Sequence, residues 1–265
     1  LVAVDECLSA SPLENVFLRS EIRHGALRQG ALLGIEDTHD HHLQAVTMQA
    51  PLVVPWAPSP REVEALAEAL KPQLSSVQLI VGPRDQVAAL QRLLVHELRP
   101  ARLLRAEQPH YAVDLDQLQG PEGPAPPLRL ATMRELEQVV IAGAAMHLEE
   151  VGFDPMVSDP VGFRERLVTL IRRGWVHVLM ENGRVAFKAE CSAVTPEAIQ
   201  LQGVWTDPEL RGRGIGTRSM AALCRQLLAD TGAVTLFVND FNQPAIRVYE
   251  RVGFRRIGTM RSLLM

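Results

Sequence analysis

The stretch Arg211-Gly212-Arg213-Gly214-Ile215-Gly216 sets glycines on alternate positions around two arginines, and Thr217 opens a helical run directly behind it. Glycine lets a backbone approach a bulky anion closely, and the amides at a helix start converge on one point at the positive end of the helix dipole. Arg211 and Arg213 add charge-assisted donors. The chemistry such a turn suits is the grip of a diphosphate. Two common grips are excluded by spacing: the glycines follow G-x-G-x-G and not the dinucleotide pattern G-x-G-x-x-G, and no Gly-Lys-Ser/Thr ending marks a nucleoside-triphosphate loop. The cofactor is another phosphate carrier.

The elements around this turn alternate. Helical spacing of apolar residues predicts helices over 133–151 and 161–173, and WVHVLM-ENGR-VAFKAECSAV reads as a hairpin because Asn182-Gly183 sits between two apolar runs. A strand over 199–206 leads into the glycine turn. Behind the turn come a helix with Met220, Leu223, Cys224, Leu227 and Leu228 on one stripe, and a strand over 234–239. A last helix then starts at Asn242, its expected N-cap, with Pro244 in the first turn, and stops at Gly253. A final strand closes the sequence.

At these residues the sequence resembles the acetyl-CoA-dependent N-acetyltransferases of the GNAT superfamily. Their phosphate turn, R/Q-x-x-G-x-G/A, is matched by Arg211, Gly214 and Gly216, and their N-x-x-A-x-x-x-Y-x-x-x-G-F motif by Asn242, Ala245, Tyr249, Gly253 and Phe254. Both motifs and the element order cover residues 128–265. The wider chain is similar to actinobacterial two-domain acetyltransferases, and more distantly to tandem-domain mycothiol synthases. The resemblance implies acetyl-CoA as co-substrate, held by Val204, Trp205, Thr206, Arg211, Gly212, Arg213, Gly214, Ile215, Gly216, Thr217 and Asn242, with two neighbouring strands splayed apart to admit the pantetheine arm. It implies backbone N–H donors on the strand Val204-Trp205-Thr206 for the thioester oxygen, and Gly203 suits a bulge there.

Acetyl transfer to an amine also needs a base for the ammonium and an acid for the thiolate. Tyr249, one of two tyrosines, lies two helical turns beyond Asn242, about 10 Å along the axis, and is the expected acid; the competing reading is a core aromatic. The base is open. Many family members carry a Glu on the strand before the phosphate turn, where this sequence has Gln200 and Gln202. Glu190 shares a strand face with Lys188, so it is a substitute base or half of an ion pair. Glu149 and Glu150, ending the first helix, stand over the acceptor cleft by resemblance, or make a solvated helix end. Asp240 and a water relay are further possibilities. The sequence leaves the acceptor amine open, whether a small molecule or a peptide.

GPEGPAPP, residues 120–127, stiffens the chain and withholds donors, which places a linker between a domain over 1–119 and a catalytic domain over 128–265. The first half repeats the element order: a helix at PLENVFLRSEI, a hairpin ALLGIED/LQAVTM, a strand PLVVPW, a helix REVEALAEAL, a strand VQLIV, a helix RDQVAALQRLLVHEL and a strand pair from RLLRAEQPHYAVDL. Where the phosphate turn should stand it reads PWAPSPRE, without glycine and with proline at 55, 58 and 60. The expected fold is α/β in the α+β sense: tandem GNAT-like folds, each a mixed, mostly antiparallel twisted sheet flanked by helices, the first a degenerate copy unable to hold CoA. Binding as a sensor or scaffold without turnover, and transfer of a larger acyl or aminoacyl group, are the alternatives.

Composition bounds these readings. The chain is 47% apolar and 22% charged, and no apolar run reaches the roughly 18 to 20 residues of a membrane helix. The N-terminus is acidic where a signal peptide is basic, and three scattered cysteines (Cys7, Cys191, Cys224) suit a reducing cytoplasm. Cys191 and Cys224 read as core residues. Residues 1–127 hold 10 basic against 16 acidic side chains and the remainder 17 against 15, so neither half reads as a nucleic-acid or membrane binder. His39-Asp40-His41-His42 between two strand-like runs reads as a solvated turn, and no metal site is expected.

Overall fold

The computed structural model describes residues 2–24, 31–37, 42–120 and 125–265. In chain order its first half carries α1 (Val2–Ser9), α2 (Val16–Arg23), β1 (Leu32–Glu36), β2 (Leu43–Met48), β3 (Leu52–Val53), β4 (Pro55–Trp56), α3 (Pro60–Leu70), β5 (Leu79–Pro83), α4 (Arg84–Leu93) and β6 (Leu103–Val113). The remainder carries β7 (Arg129–Leu130), α5 (Leu136–Val151), α6 (Pro155–Ser158), α7 (Pro160–Arg172), β8 (Val176–Glu181), β9 (Arg184–Val194), β10 (Ala198–Thr206), α8 (Ile215–Leu227), β11 (Ala233–Phe237), α9 (Gln243–Val252) and β12 (Arg255–Leu264).

These elements form two compact units that are not contiguous in sequence. The first comprises Leu1–Tyr111, Phe237–Gln243 and Arg256–Met265; the second comprises Ala112–Leu236 and Pro244–Arg255. Each unit therefore takes chain from both sides of the expected 120–127 linker, of which 121–124 lie outside the described residues. The cause in the first unit is β12, which pairs antiparallel with β5 from Met260↔Pro83 to Leu264↔Leu79 and buries Leu263 among Val53, Leu66, Leu70, Ile80 and Leu90.

In the first unit the strand order is β3-β5-β12-β6, beside a three-stranded antiparallel sheet β1-β2-β4. The expected strand PLVVPW is divided at Val54 into β3, which runs parallel to β5, and β4, which pairs with β2. The expected strand pair from Leu103 is one strand, since Gln108 to Val113 are buried throughout and leave no exposed turn. A second core cluster joins Leu8 and Leu18, from α1 and α2, to Val46 and Trp56. Of the His39–His42 cluster, residues 39–41 lie outside the described residues; the His42 carbonyl accepts from the Asp37 N–H at 2.8 Å.

In the second unit the order is β11-β10-β9-β8-β7, antiparallel except for β10 against β11. The β8–β9 hairpin turns at Asn182 (φ 50°) and Gly183 (φ 75°), the left-handed pair that a two-residue turn demands. β9 is buried at every residue from Val185 to Cys191, so helices cover both faces. Gly143 of α5 lets Phe163 of α7 approach, with only 3.1 Å from a hypothetical Cβ to its ring. Among the described residues no helix is long and apolar enough to cross a membrane, and no group of three or more His, Cys, Asp or Glu is placed to hold a metal ion.

Candidate active site

The site is built around β10, which parts from β11 and bulges against β9 before pairing with it again. Its parallel pairing with β11 covers only Ala198, Ile199 and Gln200. On the other side the register against β9 jumps from Gln202↔Glu190 to Trp205↔Lys188, leaving Gly203 and Val204 opposite the single residue Ala189. This is a bulge. Gly203 adopts φ 59°, and a Cβ there would lie 2.9 Å from the Glu190 carboxyl carbon, so a side chain is excluded both by backbone and by space. Beyond Gln200, then, the strand carrying Val204, Trp205 and Thr206 runs on without pairing to β11.

A short 3₁₀ turn, Pro208–Leu210, carries β10 into the glycine turn. Gly212 and Gly214 are left-handed (φ 76° and 73°), and α8 starts at Ile215 without a side-chain cap on its first amides. A Cβ at Gly212 would meet nothing within 4 Å among the described residues, leaving a cradle open to a ligand, whereas one at Gly216 would stand 3.0 Å from Thr206 Oγ1. Arg211 is engaged. Its Nε donates to the Thr206 carbonyl at 3.0 Å, and its NH2 group donates to Glu149 Oε2 at 2.8 Å. Arg218, which the sequence reading passed over, folds back so that its guanidinium lies 2.9 Å from the Cβ position of Gly214 and donates to the Arg213 carbonyl. Its signal was present in the sequence, an arginine one helical turn behind Gly214. The turn's donor set is amides and guanidinium groups without a nearby capping carboxylate in α8, which fits a diphosphate.

Tyr249 is buried on α9, its ring 5.7 Å from that of Phe254. Burial pushes its phenol far above the ordinary range, with Glu150 and Cys224 adding to the rise. It is therefore protonated at neutral pH, the state an acid needs. Gly253 (φ 103°) closes α9 where a Cβ would collide with the Gln117 carbonyl, which explains the glycine of that motif. Asn242 directly precedes α9, its N–H donating to the Asn239 carbonyl, and belongs to the first unit. Burial raises the thiol of Cys191 to about 12 and that of Cys224 further still.

The carboxylates differ in what they already hold. Glu190 is fully buried; its Oε1 accepts from Lys188 Nζ at 2.7 Å and its Oε2 from both terminal nitrogens of Arg166 at 3.0 Å. Burial pushes the carboxyl up, yet Lys188 and Arg166 outweigh it and leave its pKa below the usual value. Of the two open readings, the ion pair describes its contacts. Glu149 is tied to Arg211, while Glu150, exposed at the end of α5, is the carboxylate whose charge reaches the Tyr249 phenol. Asp240 belongs to the first unit, where its N–H donates to the Glu107 carbonyl. Arg166 was missed because a lone arginine on a helix carries no sequence signal of its partner.

Residues 133–254 match the profile of the acetyltransferase (GNAT) family, and residues 30–139 match a domain of unknown function (DUF4081). Over that stretch the chain is similar to GNAT acetyltransferases. Among curated proteins it is similar to a mycothiol acetyltransferase of Thermobispora bispora, 32% identical over 37% of this chain and 31% of that protein. It is also similar to the N-alpha-acetyltransferase RimI of Mycobacterium tuberculosis, 40% identical over 25% of this chain and 40% of that one. The chain thus spans well under half the length of these relatives. A GCN5-related N-acetyltransferase from Kribbella flavida shares the fold of the chain with a TM-score of 0.59 at 15% identity, over 95% of this chain and 93% of that one. The stretch that matches the family, residues 133–254, holds the glycine turn, the β10 bulge and Tyr249, and the mixed, mostly antiparallel sheet flanked by helices is the GNAT fold.

Proposed function

We propose that the chain is an N-acetyltransferase that moves an acetyl group from acetyl-CoA to a primary amine, with a single active site in the second unit. The observation that carries this is the course of β10: it parts from β11 after Gln200 and runs through a bulge into a turn of left-handed glycines and an uncapped helix start. The thioester of acetyl-CoA supplies the activated acyl group. The amides of Gly212 to Thr217, with Arg211 and Arg213, hold the diphosphate. Val204 N–H donates to the acyl oxygen as negative charge builds there, with Trp205 and Thr206 continuing the strand edge that lines the pantetheine arm. Glu150 takes the proton released as the amine's nitrogen bonds to the acyl carbon. Tyr249 gives its proton to the sulfur as the carbon–sulfur bond breaks. The attack is direct, because thiols as buried and as hard to ionise as Cys191 and Cys224 make poor nucleophiles.

The first unit supports this assignment by contrast. At the corresponding strand-to-helix turn Pro55, Pro58 and Pro60 have no N–H, the Ala57 N–H donates to Gln86 Oε1 at 2.9 Å, and the Ser59 N–H at the start of α3 donates to Glu62 Oε2 at 2.7 Å. A carboxylate already occupies the place where an anion would bind. The acceptor we propose is a small-molecule or peptide amine in the cytoplasm, with neither nucleic acid nor membrane as partner. The test follows free thiol after mixing the protein and acetyl-CoA with free amino acids, polyamines and tripeptides bearing free N-termini. Amine-dependent thiol release is expected. Binding of acetyl-CoA with no release for any amine would instead favour a non-catalytic sensor, the reading to which the locked Glu190 lends weight.

A further inference from the structure

We infer that Lys188, Glu190 and Arg166 form a buried strut that sets the Gly203–Val204 bulge of β10 and so aims the Val204 N–H, making them positioning residues and not catalytic ones. This rests on the acetyl-transfer reading of the same site. Lys188 is 0% exposed and Glu190 1%, and they stand two residues apart on one face of β9. Burying two charges is expensive, and an apolar pair of similar volume is often no less stable, so stability alone does not account for them. Their contacts do. Lys188 Nζ divides its donors between Glu190 Oε1 at 2.7 Å and the Gly203 carbonyl at 2.9 Å.

The peptide unit converts that contact into direction. In a trans peptide the carbonyl and the following N–H point to opposite sides, so a lysine that holds the Gly203 oxygen turns the Val204 N–H away from itself. Glu190 backs onto the other side of the same residue: its carboxylate lies within 2.9–3.1 Å of the Cβ position of Gly203, which also explains why glycine stands there. Arg166 of α7 locks Glu190 through two bonds of 3.0 Å, and Gln202 Nε2 reaches the same oxygen at 3.4 Å. Bulge, lysine, carboxylate and α7 are thereby one connected piece.

The experiment compares wild type with Lys188→Met, Glu190→Gln and the neutral double variant Lys188→Met/Glu190→Leu, which keeps an apolar pair in the core if a single change unfolds the protein. The quantities read are acetyl-CoA affinity, kcat and its pH profile with the best amine found, thermal stability, and the carbonyl stretch of bound 1-¹³C-acetyl-CoA by difference infrared spectroscopy. A strut predicts affinity within about threefold of wild type, kcat lower by about a hundredfold, as misplacing a group by an ångström can do, and a carbonyl stretch that loses its shift to lower frequency. The double variant should regain thermal stability without regaining kcat, which a merely structural pair would not do. Wild-type kcat and carbonyl frequency in the double variant would overturn the strut. So would loss of the acidic limb of the pH–rate profile in Glu190→Gln alone, with Lys188→Met fully active, because that is the behaviour of a base. A crystal structure of Lys188→Met with the Gly203–Val204 peptide unmoved would overturn it whatever the activity. A wild-type protein that binds no acetyl-CoA would instead remove the reading on which the strut rests.

Discussion

Lowering the pH from about 7.5 to about 5 should weaken each unit of the protein through one buried histidine. His110 on β6 is 1% exposed and His177 on β8 is 7% exposed; among the described residues His110 Nε2 and His177 Nδ1 have no hydrogen-bond partner. Burial alone lowers both from 6.5 to about 4. A histidine depressed in the fold binds its proton more readily when unfolded, so stability is complete above 6.5 and is lost as the pH falls toward 4. With these two values, each histidine costs about 2 kcal/mol at about pH 5 relative to about pH 7.5. Carboxylates held low by cations, such as Glu135 at about 2 beside Arg129, add their losses only at lower pH. Urea unfolding at several pH values across this window, repeated for His110→Leu and His177→Leu, reads the effect. Each substitution should remove its own share of the pH slope, whatever it does to stability at neutral pH. Unchanged slopes in both variants, or imidazole resonances titrating near 6.5 in the folded protein, would show that burial of these histidines does not set the pH dependence.

Other outcomes follow from the site. Tyr249→Phe should lower kcat by roughly 10² to 10⁴, the range for loss of a positioned acid, with acetyl-CoA affinity unchanged by calorimetry. Glu149→Gln frees Arg211 for the diphosphate and should tighten acetyl-CoA binding about two- to fivefold, since an exposed pair is worth at most about 1 kcal/mol; the gain should shrink in high salt. Replacing Cys7, Cys191 and Cys224 together should leave amine-dependent thiol release in place, and an acetyl-cysteine trapped by mass spectrometry would contradict that.

What the sequence disclosed was local chemistry. Asn182-Gly183 announced its hairpin because only a left-handed pair closes a two-residue turn, and the glycines at 212 and 214 announced theirs for the same conformational reason. The apolar stripe of α8 and the glycine stop of α9 were equally legible. Some elements escaped: β7 and α6 are too brief to show a period, and α1, as long as α2, buries Leu8 alone and so presents no apolar stripe. So did long-range partners. Nothing in Lys188 or Glu190 points to Arg166 on α7, and nothing in the last strand announces that it pairs with β5 and completes the first unit. The strand pair expected from Leu103 is the single strand β6, which runs through Pro109 and is buried from Gln108 to Val113. The Glu190 ambiguity could not be resolved from spacing either, since a base and an ion pair look alike until the third charge is placed.

Whether the glycine turn grips the diphosphate is read by calorimetric titration of the chain with acetyl-CoA, run beside Gly214→Val, which forces a branched side chain into a left-handed position at φ 73°. One site per chain is expected, lost in the variant. Two sites per chain, no heat at all, or undiminished binding in Gly214→Val would contradict it.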